Sequence, residues 1–163
     1  MADAFLKIEG GPDGESTDGA HPSWMEILSF SWGVSQQTAG SVSSQGSLSA
    51  SRADFQNFSF SKLMDKASSV LLQDCASGKH YGKATVQMHR AGETKELYQE
   101  YVFTDVMLTN YSIGGSEGGG IPVESATFAY GKVEWKYIPT KVAGGKGTGE
   151  VPGSWDLTKN AKS

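Results

Sequence analysis

Three histidines and one cysteine are the side chains best suited to catalysis or metal binding in this sequence, and their spacing argues against both. His21, His80 and His89 fall in different predicted elements, and none has a second His, a Cys or paired carboxylates at ligand spacing. Each is expected at the surface or in a turn, so no metal and no cofactor is implied. Cys75 sits on the inner stripe of a predicted helix, where a buried, inert thiol is the ordinary outcome and a nucleophile needs an electropositive, accessible niche. The run Gly144-Gly145-Lys146-Gly147-Thr148-Gly149 tempts a phosphate-loop reading, but a glycine follows the lysine where that loop needs Ser or Thr. It is also not set between a strand and a helix, so loop glycine is the reading kept. Without a paired acid and base, no enzyme is expected.

The run starting at Leu28 carries a different signal. Even positions are apolar (Leu28, Phe30, Trp32, Val34) and odd ones small (Ser29, Ser31, Gly33, Ser35), which predicts a strand with one core face. A solvated strand face normally carries Lys and Glu. The smooth face of Ser29, Ser31 and Ser35 therefore either lies under a packed loop or lines a shared cavity.

The elements that position this face read as mainly β. Phe5–Glu9 is a short strand, followed by a turn-rich run to Ala20. Thr38–Ser51 is a low-complexity run of Ser, Gly, Ala and Gln, expected to be disordered or extended. Asp54–Ser59 resumes as a strand, and Ser61 opens the one convincing helix, with Leu63, Ala67, Val70, Leu71 and Cys75 at helical spacing and Gly78 to end it. Further strands follow at Tyr81–His89 and Leu97–Ile113.

Pro122–Pro139 is the strand the others arrange around. Its apolar positions are even to Tyr130 and odd from Val133. Such a flip at Gly131 means a bulge, or a strand bending from one sheet into another. A second flip at Thr104-Asp105 supports a corner, as in barrels and orthogonal sandwiches.

Length and charge bound the rest. The 163 residues suit a single domain spanning 1–163 that buries roughly 70% of its unfolded surface. A net charge of −4 without a Lys/Arg cluster argues against a nucleic-acid partner. No apolar run approaches the ~18 residues of a membrane span. Met1–Phe5 lacks the charged and apolar regions of a Sec signal peptide, so a cytoplasmic, soluble protein is expected.

Taken together, Phe5-Leu6-Lys7-Ile8-Glu9-Gly10, Phe30-Ser31-Trp32-Gly33-Val34-Ser35-Gln36, Phe58-Ser59-Phe60-Ser61-Lys62, Cys75-Ala76-Ser77-Gly78-Lys79-His80-Tyr81, Glu134-Trp135-Lys136-Tyr137 and Trp155-Asp156-Leu157 resemble the Hcp proteins, inner-tube subunits of the bacterial type VI secretion system. The resemblance implies a β-barrel of two antiparallel sheets with one flanking helix (about residues 61–77) and a long extended loop (about 38–51).

It further implies a homo-hexameric ring that stacks into a hollow tube, carries effector proteins in its lumen and meets spike, sheath and baseplate components. Such a subunit is cytoplasmic before firing and then secreted without a Sec signal. On that reading Ser29, Ser31 and Ser35 are lumen candidates, and Gly40, Ser43, Gln45 and Ser47 are candidates for contacts between subunits or stacked rings. The alternative is a monomeric β-barrel binding a small hydrophobic ligand in its own interior.

Overall fold

Alternation of apolar and small polar residues does set most strands. The computed structural model describes residues 3–39, 49–92, 95–139 and 149–163. In chain order the elements are β1 (Asp3–Glu9), β2 (Met25–Ile27), β3 (Ser29–Ser31), β4 (Val34–Ala39), β5 (Ser49–Phe55), β6 (Phe58–Leu63), α1 (Ser68–Ser77), β7 (His80–His89), β8 (Leu97–Gly114), β9 (Val123–Tyr137) and β10 (Val151–Asp156).

The main sheet is antiparallel and runs β2-β1-β7-β8-β9-β6-β3, with β10 also paired to β9, while β4 and β5 form a separate two-stranded sheet. β2 and β3 lie at opposite ends of that order yet are neighbours in the chain. Leu28 joins them and donates its N–H to Ser61 O at 2.7 Å, which brings the sheet nearly closed as a barrel. Phe58, Phe103, Phe128, Leu6, Val86 and Val133 fill the interior, each fully buried.

The expected corner is present and involves three strands. Tyr81 faces Val106 and Lys83 faces Thr104, which sets Gly82 opposite Asp105. Thr104 faces Lys132 and Val106 faces Tyr130, which sets Asp105 opposite Gly131. Across this line the buried positions step by three instead of two: Tyr81 to Ala84, Phe103 to Val106, Tyr130 to Val133. Register is unbroken there, so the flip is a crease and not a bulge; the β8–β9 irregularity lies at Leu108/Asn110. β9 consequently serves two neighbours on its other edge, pairing with β6 through Val123–Phe128 and with β10 through Lys132–Tyr137.

Several expected boundaries move. The helix starts at Ser68, not Ser61. Phe58-Ser59-Phe60-Ser61 has a strand period, and pairing with both β3 and β9 keeps Ser61 extended. The helix start is instead organised by Asp65, whose Oδ1 accepts the Ala67 N–H at 2.9 Å, and by Ser68 Oγ, which accepts the Asp65 N–H at 3.0 Å. On its stripe Ala67 and Leu71 are buried, Cys75 is half-buried and Val70 is exposed. Gly78 closes it in the left-handed region at φ 69°.

The strand expected from Leu28 to Ser35 breaks at Trp32-Gly33, where the chain leaves the barrel for the β4–β5 hairpin. Its even face is not uniformly core: Leu28 is 59% and Val34 55% exposed, and Phe30 is partly so. Trp32 is held inward, donating Nε1–H to Tyr130 OH at 2.5 Å, while that hydroxyl donates to Gln56 O at 2.8 Å. At the far end Trp155 of β10 packs on Phe55 with ring centroids 6.1 Å apart, so the tail is tied to the hairpin.

Candidate functional site

Register places the serines of β3 in a larger pattern. Ser29 is opposite Ser61, Ser61 opposite Ser125, and Ser125 opposite Ser112, giving one row across β3, β6, β9 and β8. Two residues along, Ser31, Ser59, Thr127 and Asn110 form a second row across the same strands. The row between them, Phe30, Phe60, Ala126 and Tyr111, belongs to the other face because side chains alternate; Phe60 and Ala126 are buried there.

The eight outer side chains are small, uncharged and exposed or half-buried. They bond largely to one another. Ser29 Oγ lies 2.5 Å from Ser61 Oγ, Ser59 Oγ lies 2.9 Å from Thr127 Oγ1, and Ser112 Oγ donates to Ser125 O at 3.3 Å. None of these hydroxyls is bonded to an imidazole or carboxylate among the described residues, so the surface can hydrogen-bond weakly to water or a passing chain but is not arranged for nucleophilic attack.

Of the sequence-based candidates, Ser29 and Ser31 meet in these rows. Ser35 does not; it lies in the hairpin opposite Asp54. Gly40, Ser43, Gln45 and Ser47 lie outside the described residues. Ser59, Ser61, Ser112, Ser125, Thr127 and Asn110 were missed, although hydroxyls at alternate positions in Phe58-Ser59-Phe60-Ser61 and Ser125-Ala126-Thr127 carried the same signal.

Beneath one end of the rows sits a buried charge cluster. Lys62 and Glu124, each 1% exposed, are paired at 2.8 Å, and Lys62 Nζ also donates to Asp65 Oδ1 at 2.9 Å. Ser68 Oγ donates to Glu124 Oε2 at 2.8 Å, and Tyr111 OH donates to the same oxygen. Burial works to raise the Glu124 carboxyl, but the hydrogen bonds from Lys62, Tyr111 and Ser68 outweigh it and hold it below its ordinary value.

The histidines depart from expectation. His80 is exposed beside Asp105, as expected of a surface residue. His21 and His89 are buried, at 3% and 6% exposure, and their Nε2 atoms meet at 3.0 Å. The barrel brings together residues that are far apart in the chain. Among the described residues, no three His, Cys, Asp or Glu side chains gather as a metal shell, and no helix is long and apolar enough to cross a membrane.

Known proteins share both sequence and fold with this chain. A family model described as "Type VI secretion system effector, Hcp" matches residues 5–137. Protein hcp1 of Pseudomonas aeruginosa is 35% identical over 162 residues, covering 99% of this chain and 98% of that one. A solved type six secretion system protein superposes with a TM-score of 0.94 at 32% identity over 100% of both chains. Hcp1 from Salmonella typhimurium does so with a TM-score of 0.76 at 32% identity over 99% of each.

Proposed function

Since the chain belongs to the Hcp family of type VI secretion proteins, we propose that it is a non-catalytic tube subunit: one barrel domain, 1–163, that joins five copies of itself in a ring. Rings stack into a hollow tube that leaves the cell from the cytoplasm and carries effector proteins inside.

The observation that carries this reading is the pair of hydroxyl rows. A channel that must hold cargo and then release it needs a lining free of strong charge and of large apolar patches. Ser29 and Ser31, with Ser59, Ser61, Ser112, Ser125, Thr127 and Asn110, supply such a lining over four strands. The exposed apolar residues Leu28 and Ile121, both 59% exposed, and Leu63 at 42% are the kind of surface that a neighbouring subunit covers. The segment with Gly40, Ser43, Gln45 and Ser47 is proposed to reach an adjacent subunit or ring.

The small-ligand alternative draws no support from the interior. Phe58, Phe103 and Phe128 are fully buried, with centroids 5.0–5.1 Å apart, so the barrel is filled by its own side chains.

Size-exclusion chromatography with light scattering, followed by electron microscopy, tests the proposal. Annular particles of six-subunit mass are expected. A strictly monomeric species at high concentration overturns it.

A further inference from the structure

His21 belongs to the connection between β1 and β2, and His89 is the last residue of β7. Both rings are buried, and their Nε2 atoms face each other at 3.0 Å. One hydrogen, and only one, fits between two nitrogens at that distance. His21 Nδ1 lies 2.9 Å from Asp18 Oδ1. A carboxylate only accepts, so that nitrogen already carries its hydrogen. Lys95 holds Asp18 at 2.7 Å, and the Lys95 and His21 hydrogen bonds keep the Asp18 carboxyl well below the usual range. Asp18 therefore stays charged throughout the range in which an imidazole titrates.

The shared hydrogen has no placement that satisfies every atom around it. Donated by His21, it also reaches Gln87 Oε1 at 2.8 Å. His89 must then carry its own hydrogen on Nδ1, which is buried and has no hydrogen-bond partner among the described residues. Donated by His89, it leaves Gln87 Oε1 against a bare lone pair, and Gln87 is kept from turning because its amide N–H donates to Glu100. Protonating both rings fully sets two N–H groups head to head and leaves the Nδ1 donor unpaired as well. A buried site resists both.

We propose that this imidazole pair is an acid-operated latch: near neutral pH it fastens the loop of residues 10–24 to the barrel, and uptake of a further proton parts the rings and frees the loop. The loop is the side that yields. His89 is fixed in a ladder, opposite Asp3 of β1 and Leu97 of β8. Residues 10–24 form no strand and are braced largely on themselves, with Gly14, Ser16 and Ser23 donating to the carbonyls of Ser23, Trp24 and Ser16. Phe5 stacks on His21 with centroids 4.4 Å apart and accepts a cation on its face, so the opposition to charge comes from His89. The loop's other tie, Asp18 to Lys95, ends on a half-exposed lysine and contributes little.

The charged groups packed around the pair come from five directions. Lys95 bridges Asp3 of β1 and Asp18 of the loop at 3.2 and 2.7 Å. Glu100 of β8 meets Lys136 of β9 at 3.6 Å, Glu26 of β2 shares a cavity wall with Asp3, Asp18 and Lys95, and Arg90 turns away onto the Tyr98 ring. Burial first, then His21, pushes the His89 imidazole below its ordinary 6.5, against smaller pulls from the Lys95 main chain and Asp18. The freed form thus takes up the proton first, so the latch is complete above 6.5 and weakens as pH falls below it. One excluded proton shifts the balance about tenfold per pH unit, or about 30-fold at pH 5.

Glu15 and Ser16 of this loop line a groove with Leu28, Leu63 and Ile121, and Thr17 and Asp18 line the cavity beside Ile27 and Leu28. Freeing the loop removes one wall of the surface assigned above to a neighbouring subunit. Acid is therefore expected to loosen the ring, a step that rests on the tube-subunit reading, whereas the latch itself does not.

The test is hydrogen–deuterium exchange of the full chain at about pH 7.5 and about pH 5, with exchange times scaled for the intrinsic rate. Peptides covering residues 10–24 should lose protection about 10–30-fold in acid and regain it on return, while β8 and β9 keep theirs. His89→Gln should show equal protection at the two pH values, and His80→Gln, changing an exposed imidazole, should keep the full response. Equal loop protection in the unmodified chain, loss of β8 and β9 together with the loop, or an unchanged response in His89→Gln overturns the latch. Nitrogen-15 imidazole spectra of the unmodified chain give a reading that needs no variant: proton uptake at His89 should coincide with loop release, and uptake with the loop still protected also overturns it. Light scattering at both pH values separates the second step. Rings that fall apart at pH 5 support it, and rings that persist while the loop is free overturn it. A monomer at both values with the loop response intact sinks the tube reading and leaves the latch standing.

Discussion

Asp105 and Gly131 stand opposite each other in the β8–β9 ladder, and a Cβ built on Gly131 would lie 3.5 Å from both Asp105 Cβ and Oδ2. Asp105 holds φ at +56°, in the left-handed region that costs most L residues about 1–2 kcal/mol and Asp or Asn less. Asp105→Val is therefore expected to destabilise the subunit by about 1–2 kcal/mol in urea unfolding. Asp105→Asn should be nearly neutral. Gly131→Ala, meeting only ordinary contact distances, should cost no more than about 1 kcal/mol.

The Lys62–Glu124 pair should respond asymmetrically to mutation. Lys62→Met strands a buried carboxylate, and a loss of about 3–5 kcal/mol is expected. Adding Glu124→Gln removes the charge yet keeps acceptors for Tyr111 and Ser68. The double variant should thus recover about 2 kcal/mol relative to additivity, measured as a cycle by chemical denaturation. The pH sign follows from the depressed carboxyl. The unfolded chain takes up the proton first, so this contribution is complete above the ordinary value of 4.5 and is lost as pH falls below it. In Glu124→Gln that part of the acid slope should vanish.

Alkaline pH should expose the buried tyrosines. Burial, partly offset by the Trp32 hydrogen bond, pushes the Tyr130 hydroxyl up to about 12. Burial likewise raises Tyr81, Tyr101 and Tyr111, with Asp74 and Glu124 adding to it for Tyr81 and Tyr111. The folded values exceed the unfolded one, so the stability they confer is present below pH 10 and is lost as pH rises beyond it. Absorbance at the tyrosinate band should rise cooperatively with unfolding. Tyr130→Phe, which leaves the Trp32 N–H and Gln56 O unpaired, should cost about 1–3 kcal/mol at neutral pH.

Ser31→Gln tests the hydroxyl rows. Ser31 is exposed, so thermal stability should change by no more than about 0.5 kcal/mol and rings should persist in micrographs. Co-elution of effector protein with the rings is expected to change. Unfolding of the variant would show that this face is packed beneath other structure and would remove it from the lining.

Much of this was legible wherever a strand reports on itself. The flips at Gly131 and at Thr104-Asp105 are visible because alternation is local, and Ser29 and Ser31 could be read as one face for the same reason. The third member of the crease, Gly82, was hidden because only His80 and Tyr81 lie before it in β7, too few to establish an alternation. Ser61 misled because Leu63, Ala67 and Leu71 fit a helical period equally well, and only pairing with β3 and β9 decides against it. The exposure of Leu28 and Val34 depends on what packs above them. Partnerships between distant strands, Ser29 with Ser125's row or His21 with His89, depend on inter-strand register, which no single segment encodes. The resemblance to a family is the source of the proposed assembly, which residue patterns alone left open.

Neither of the two outer rows, from Ser29 to Ser112 and from Ser31 to Asn110, includes an ionisable group. A passenger resting on them would find no fixed counter-charge and displace few bound ions. If the proposed lining is right, its retention should therefore be almost indifferent to ionic strength, from dilute buffer to brine.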